Sequence, residues 1–124
     1  MLIFTWILQI VLGIVFLGAG YLKATKPYME LAADPNMGWV ESFTPNTVRT
    51  IGILEFFAGV GILFPHMVDL FTWLTPLAAL GLMATMIGAA GVHLRRGEFQ
   101  PIAINILFFI LACLVFYLRL VYFR

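Results

Sequence analysis

Charged residues are scarce in this chain of 124 residues: six acidic and seven basic side chains make up 10% of it, with 63% apolar residues. Soluble domains carry about a quarter charged residues. A soluble fold this short has too little interior to bury so much apolar surface. The net charge of +1 offers no basic patch, so we expect no nucleic-acid partner. The composition predicts an integral membrane protein whose surroundings are the lipid bilayer.

Residues typical of independent catalysis are also few. Cys113 is the single cysteine, which excludes an internal disulfide or a thiol relay within the chain, and its apolar neighbours predict a packing role. Ser42 is the single serine and has no nearby histidine in the sequence. His66 and His93 are predicted on opposite sides of the membrane, so we expect no metal site. Whether the protein is an enzyme stays open at this point.

Four hydrophobic stretches are long enough to cross a bilayer as helices, which takes about 20 residues each. They cover about residues 2–22, 48–64, 71–92 and 102–120. We therefore predict an all-α fold, a four-helix transmembrane bundle that forms a single domain over residues 1–124. The first stretch lacks the basic start and the small-residue cleavage site of a secretory signal, so we interpret it as a retained helix.

Three connections join the stretches. Those at about 65–70 and 94–100 are short and make the helices they join antiparallel neighbours. The connection at about 24–47 is longer and contains three prolines together with Tyr28 and Trp39. Interfacial aromatic residues of this kind predict a connection that lies along the membrane surface. The alternative is a cap that folds over the mouth of the bundle, since long loops are often functional.

Glycines recur seven residues apart in three stretches, which places each pair on one helix face. The pairs are Gly13 with Gly20, Gly52 with Gly59, and Gly81 with Gly88. Small residues let the backbones of membrane helices approach closely. The spacing therefore predicts that all three pairs lie at helix contacts.

Basic residues are distributed unequally between the two sides of the membrane. The side of the first and third connections, called the basic side below, holds Lys23, Lys26, Arg49, Arg95 and Arg96. The opposite side, called the far side, carries the 65–70 connection and both termini, with only Arg119 and Arg124. The excess of basic residues predicts that the basic side is cytoplasmic and that both termini are outside.

All four helices are predicted to offer a polar side chain toward the basic side. Glu55 is the most informative, because an ionisable group inside a span is costly unless it is paired and usually faces the bundle interior. Lys23, Arg49 and His93 are its candidate partners, and Asn105 lies one turn into the fourth helix. We predict that these five residues line a ligand-binding site. The alternative is a structural network that only fixes how the helices pack.

Four segments that carry these residues resemble the DoxX-like family: FLGAGYLKATKP, RTIGILEFFAGVGILFP, AAGVHLRRGE and PIAINILFFILA. The resemblance implies a four-helix bundle in the bacterial cytoplasmic membrane, and the family pattern corresponds to Lys23, Glu55, His93 and Asn105. Some members are linked to quinone-reducing sulfur oxidation or to membrane oxidoreductase complexes that handle thiol and oxidative stress. Distant eukaryotic relatives act as assembly chaperones or cargo receptors.

Two functions follow as expectations. In the first, the polar residues and the apolar helices form a cavity for a small amphipathic ligand, with a quinone as the candidate, in or beside a membrane oxidoreductase complex. In the second, the protein is a non-catalytic membrane chaperone or scaffold that pairs with another membrane protein or with its own copies. The sequence identifies neither the ligand nor the oligomeric state.

Overall fold

The computed structural model describes residues 2–122, which are almost entirely helical and include no strand. The elements are α1 (Leu2–Thr25), α2 (Tyr28–Ala33), a 3₁₀ segment (Pro35–Ser42), α3 (Pro45–Val68), α4 (Leu74–Arg95) and α5 (Gln100–Tyr117), which a π-helical turn (Leu118–Tyr122) extends. Within residues 2–122, four helices are long and apolar enough to cross a membrane. The prediction of an all-α, four-helix membrane bundle is confirmed.

Helix α3, with 24 residues, is longer than the predicted second stretch. The second was expected to end before Pro65, yet α3 continues through it to Val68. Proline has no N–H and leaves the carbonyl of Gly61 without its helical donor, but Oγ1 of Thr75 donates to that oxygen at 2.8 Å. Neighbouring hydroxyls commonly make proline tolerable in membrane helices in this way.

The predicted third stretch starts three residues too early. It was expected from residue 71, whereas α4 begins at Leu74. The reason is local backbone geometry, because Asp69 and Phe71 have φ angles of 56° and 53°. Right-handed helix requires negative φ, so the chain cannot be helical through these two residues. The turn between α3 and α4 therefore includes residues that hydropathy assigned to the membrane.

Glycines bring α1 and α3 into backbone contact. A Cβ built on Gly20 would meet the backbone N of Phe56 at 2.4 Å, and one on Gly52 would meet the backbone N of Ala24 at 2.6 Å. One on Gly59 would meet the backbone N of Leu17 at 2.9 Å. No larger residue fits at these positions unless the helices separate. The prediction for the glycine pairs of the first two stretches is confirmed.

The glycine pair of α4 does not lie at a helix contact, so this part of the prediction is wrong. A Cβ on Gly81 or Gly88 would meet nothing within 4 Å, whereas one on Gly61 of α3 would meet Cβ of Ala78 at 2.9 Å. Helices α3 and α4 therefore touch toward the far side and stand apart toward the basic side. The seven-residue spacing does place Gly81 and Gly88 on one face of α4, but that face meets open space instead of a neighbouring helix.

A hydrophobic core holds the four long helices together. Leu12, Ile62, Leu82, Ala112 and Val115 are buried, and each long helix contributes to this cluster. Large apolar side chains also cover much of the outer surface. Such a surface would be unfavourable in water, but in a bilayer it contacts the lipid tails. The protein is an integral membrane protein, with the bilayer as its surroundings.

The first connection folds over the basic end of the bundle as a cap, the second of the two alternatives. Leu31 and Val40 are buried together with Val48 of the first turn of α3. The hydroxyl of Tyr28 lies 3.1 Å from the carbonyl oxygen of Val40 and 2.9 Å from that of Phe43. These contacts make residues 28–43, called the cap below, a packed unit rather than a loose connector.

The far half of the bundle contains a buried polar network. Arg119 is 5% exposed, and its Nε donates to Oε1 of Gln9 at 2.6 Å. Nε2 of Gln9 donates in turn to the carbonyl oxygen of Ile62 at 2.7 Å. The guanidinium also lies 5.2 Å from the ring centroid of Trp6. This network joins the end of the fourth span to α1 and α3.

Candidate functional site

A cavity of about 590 Å³ lies at the basic end of the bundle, in the space that opens between α3 and α4 and below the cap. Most of its wall is apolar, and all four long helices and the cap contribute to it. The polar side chains in the wall include Lys23 from α1, Glu55 from α3, His93 from α4 and Asn105 from α5. Four of the five predicted residues are therefore brought together in one cavity.

Glu55 and Lys23 form an ion pair at the wall of the cavity. Nζ of Lys23 lies 2.5 Å from Oε1 of Glu55, whose side chain is 3% exposed. The pair depends on the close packing of α1 and α3, because a Cβ on Gly52 would meet Cβ of Lys23 at 2.7 Å. The ammonium also lies 5.2 Å from the ring centroid of Trp39, an attractive cation–π distance. The cap thus contacts the ion pair directly.

The end of α4 positions His93 against Glu98. Gly97 has a φ of 73°, a conformation that costs glycine little. The N–H groups of Gly97 and Glu98 donate to the carbonyls of Leu94 and His93 at 3.2 and 2.8 Å, which is the Schellman pattern. This turn carries the Glu98 side chain back to the histidine, where Oε1 lies 2.9 Å from Nδ1.

Glu98 is held as a carboxylate in the third connection. The hydrogen bond with His93 lowers the pKa of Glu98, and Arg96 acts in the same direction through a hydrogen bond and its charge, while desolvation opposes both. Arg96 also donates to the hydroxyl of Ser42 in the cap, at 3.4 Å from Nη1. Because folding lowers the pKa of Glu98, these contacts stabilise the folded protein at pH values above the unfolded pKa of about 4.3. This stabilisation is lost as the pH falls through the lower pKa of the folded state.

Asn105 presents an amide that is incompletely hydrogen-bonded. Its side chain is 9% exposed, and within residues 2–122 no atom accepts a hydrogen bond from its Nδ2. A buried donor without a partner costs roughly 1–3 kcal/mol. Such a group at the wall of a cavity is suited to a polar atom of a ligand.

Arg49, the fifth predicted residue, does not belong to this site. It is exposed and is absent from the cavity wall. The six residues that separate it from Glu55 correspond to about 600° of helical rotation, so the two side chains point about 120° apart. The partner of Glu55 is Lys23, from another helix.

Sequence reasoning missed the part of the wall that the cap supplies. Met37, Trp39 and Phe43 line the cavity, and the rings of Trp39 and Phe43 meet edge to face at a centroid distance of 5.9 Å. The available signal was the density of aromatic residues in a connection much longer than the other two. This signal is compatible with a connection along the membrane surface and with a cap. The packing of Leu31, Val40 and Val48 against each other distinguishes the cap from the surface connection.

The arrangement combines an ammonium, a carboxylate, an imidazole and an amide inside an apolar wall. Together they can donate to and accept from a polar head group, while the apolar side chains surround a hydrocarbon portion. Within residues 2–122, no group of three or more His, Cys, Asp or Glu is placed to hold a metal ion. Cys113 is not part of the cavity wall.

Comparison with known proteins gives one match. The model of the DoxX-like family matches residues 7–115, which is most of the chain and includes at least part of each predicted span. No curated protein and no solved structure matches the chain. The matched range includes every residue of the cavity wall.

Proposed function

The chain belongs to the DoxX-like family, and we propose that it binds a small amphipathic molecule in the cavity between α3, α4 and the cap. The polar head of this molecule contacts Lys23, Glu55, His93 and Asn105. A quinone is the candidate ligand, and the protein serves in or beside a membrane oxidoreductase complex. Its proposed location is the bacterial cytoplasmic membrane, as the family resemblance implies.

The observation that carries the proposal is the cavity itself. Its volume of about 590 Å³ falls within the range of about 300–1,000 Å³ typical of small-molecule sites. Its wall is mostly apolar and has a few convergent polar groups, the pattern such sites share. The buried Nδ2 of Asn105 adds a donor for which residues 2–122 provide no acceptor.

A quinone head fits these groups because its carbonyl oxygens accept hydrogen bonds. Lys23 and Asn105 are donors, and His93 retains Nε2 after Nδ1 contacts Glu98. A bound quinone would supply electron and proton transfer. The residues of this chain bind and orient the head and exclude water. The single thiol, Cys113, lies outside the cavity wall and cannot reduce the bound quinone. In this proposal the electrons therefore come from a partner protein.

A second candidate function is a non-catalytic membrane chaperone or scaffold. One observation favours it: the Lys23–Glu55 pair is complete within the protein, as expected of a purely structural network. In that case the ion pair stabilises the contact between α1 and α3, and partner helices or further copies of the chain dock on the outer surface. The two functions differ in whether the cavity takes a ligand.

Native mass spectrometry of the detergent-purified protein with a decyl-substituted benzoquinone tests the proposal and also reports the number of subunits. The informative variant is Gly88→Leu, because Gly88 lines the cavity and a Cβ there meets nothing within 4 Å. Leucine should therefore fill the cavity without pushing the helices apart. The matched control is Gly91→Leu on the same helix, where a Cβ also meets open space outside the cavity wall.

We expect the quinone adduct with the wild type and with Gly91→Leu, and its loss with Gly88→Leu. Lack of binding to the wild type, or equal binding to both variants, contradicts a ligand site in this cavity. A stable oligomer that binds no quinone supports the scaffold instead.

A further inference from the structure

An apolar groove begins where the cavity ends. It has a volume of about 520 Å³ and follows α3 and α4 from Leu54 to Leu70 and Phe71 on the far side. Leu54 lines both the groove and the cavity. The two spaces are therefore neighbours that share one wall residue, and the groove lies outside the four-residue polar cluster.

The junction between the two spaces opens toward lipid. Leu54 and Phe57 border the groove with 64% and 63% of their surfaces exposed. On α4, Gly81 lines the groove and Gly88 lines the cavity, and neither has an atom within 4 Å of a Cβ position. Because α4 stands apart from α3 here, a molecule in the bilayer can reach the cavity sideways between the two helices.

The groove is longer than one leaflet of a bilayer. From Leu54 to Val68 it follows α3 for about 21 Å at 1.5 Å per residue, whereas half of the hydrocarbon thickness is about 15 Å. Its wall consists of leucine, phenylalanine, valine, alanine, glycine and proline, with no ionisable side chain. A chain that fills it must be apolar and must extend past the middle of the bilayer.

We propose that this groove holds the hydrocarbon chain of the molecule whose head lies in the cavity, and that the molecule enters sideways from the bilayer between α3 and α4. This inference rests on the proposed function and specifies its ligand class: a polar head on one apolar chain longer than a leaflet, of the isoprenoid or long alkyl kind. Moving a chain from lipid to the groove gains no hydrophobic free energy, so the groove selects by shape and length.

The test uses a benzoquinone with a long alkyl chain that carries a photoreactive diazirine at its far end. After illumination in lipid nanodiscs, mass spectrometry locates the adducts. We expect them on the far-side end of the groove, at Phe64, Leu70 and Phe71, and we expect excess unmodified quinone to suppress them. A probe with a chain half as long should move the adducts toward Leu54 and Phe57, nearer the cavity.

The matched variants are Gly81→Phe, which fills the groove, and Gly91→Phe, which places the same side chain on α4 outside it. We expect Gly81→Phe to abolish the far-side adducts and to retain binding of a benzoquinone without a chain, with Gly91→Phe unchanged in both. If the chainless quinone binds but the adducts spread over all lipid-facing helices, or persist in Gly81→Phe, the groove is not the chain site and the cavity proposal survives. If no quinone binds the wild type, both proposals fail together.

Discussion

Glu55 lies close to the midpoint of the 24-residue helix α3, and its side chain is 3% exposed. Lys23 provides the compensating charge at 2.5 Å. Removing one partner of a buried pair costs roughly 3–5 kcal/mol, because the other charge is left buried alone. The pair can thus be structural, functional or both, and one substitution separates these contributions.

We expect Glu55→Gln to lower the melting temperature in detergent, because the amide cannot neutralise the Lys23 ammonium, and to abolish quinone binding by the folded fraction. Thermal unfolding and native mass spectrometry measure the two effects on one sample. The charge swap Lys23→Glu with Glu55→Lys is the control, and it should recover the melting temperature by restoring the pair. Reduced stability with unimpaired quinone binding would show that the ion pair is structural only.

Most residues of the site could be predicted from the sequence, because ionisable and polar side chains stand out in apolar helices. A carboxyl group in an apolar helix demands a partner and an interior position, and the predicted order of the spans placed Glu55, Lys23, His93 and Asn105 on one side of the membrane. Arg49 was included because it lies at the basic-side end of the helix that carries Glu55, but rotation along that helix separates the two side chains. Arg119 was counted as a terminal surface charge, since nothing in its local sequence indicates that Gln9, 110 residues away, accepts its hydrogen bond.

Helix α3 shows how one element depends on its neighbours. Pro65 leaves the carbonyl of Gly61 without a helical donor, and Thr75 of α4 supplies one at 2.8 Å. We expect Thr75→Val to destabilise the protein by about 1 kcal/mol, the usual value for a hydrogen bond between membrane helices. In a Pro65→Ala background, alanine restores the N–H of residue 65, so the same change should cost much less.

A double-mutant cycle of melting temperatures over Pro65→Ala and Thr75→Val measures this coupling. Equal costs of Thr75→Val in both backgrounds would mean that the hydroxyl stabilises α4 by packing and not by replacing the missing donor.

Glycine spacing predicted a face on each helix, and the structure decides what that face meets. Gly20 faces the backbone of α3 at 2.4 Å from a Cβ position, whereas Gly81 faces open space. We expect Gly20→Ala to cost about 1–3 kcal/mol, as overpacking does, and Gly81→Ala to be neutral or slightly stabilising. Thermal unfolding of the two variants in one detergent measures the difference, and equal melting temperatures would contradict the backbone contact between α1 and α3.

At the scale of the whole molecule, the bundle is asymmetric along the membrane normal. Its basic end is capped and contains the cavity, while its far end is closed by α3–α4 contact and by the Gln9–Arg119 network. Hydropathy predicted the number of spans, because each is an apolar stretch of sufficient length. It could not predict the cavity, which results from the divergence of α4 and from a cap whose fold depends on contacts distant in sequence.

Burial changes which charges count toward membrane orientation. Arg119 donates to Gln9 inside the bundle and Lys23 pairs with Glu55, so neither is free to act as a flanking charge in the folded protein. The basic side keeps four basic residues, Lys26, Arg49, Arg95 and Arg96, and Arg124 lies outside the described residues. The excess of basic residues on the basic side is therefore unchanged at three, and the positive-inside rule still favours a cytoplasmic basic side.

We expect an alkaline-phosphatase fusion after Leu70 to be active, because the α3–α4 turn should face the oxidising outer compartment, and a fusion after Gly97 to be inactive. Whole-cell phosphatase activity, normalised to fusion abundance, measures both. Replacing Arg95 and Arg96 with glutamine should reduce the difference if these charges retain the third connection. The reverse pattern would place the cap and the cavity mouth outside and would contradict the predicted orientation. Equal activity after Leu70 and Gly97 would contradict α4 as a membrane span.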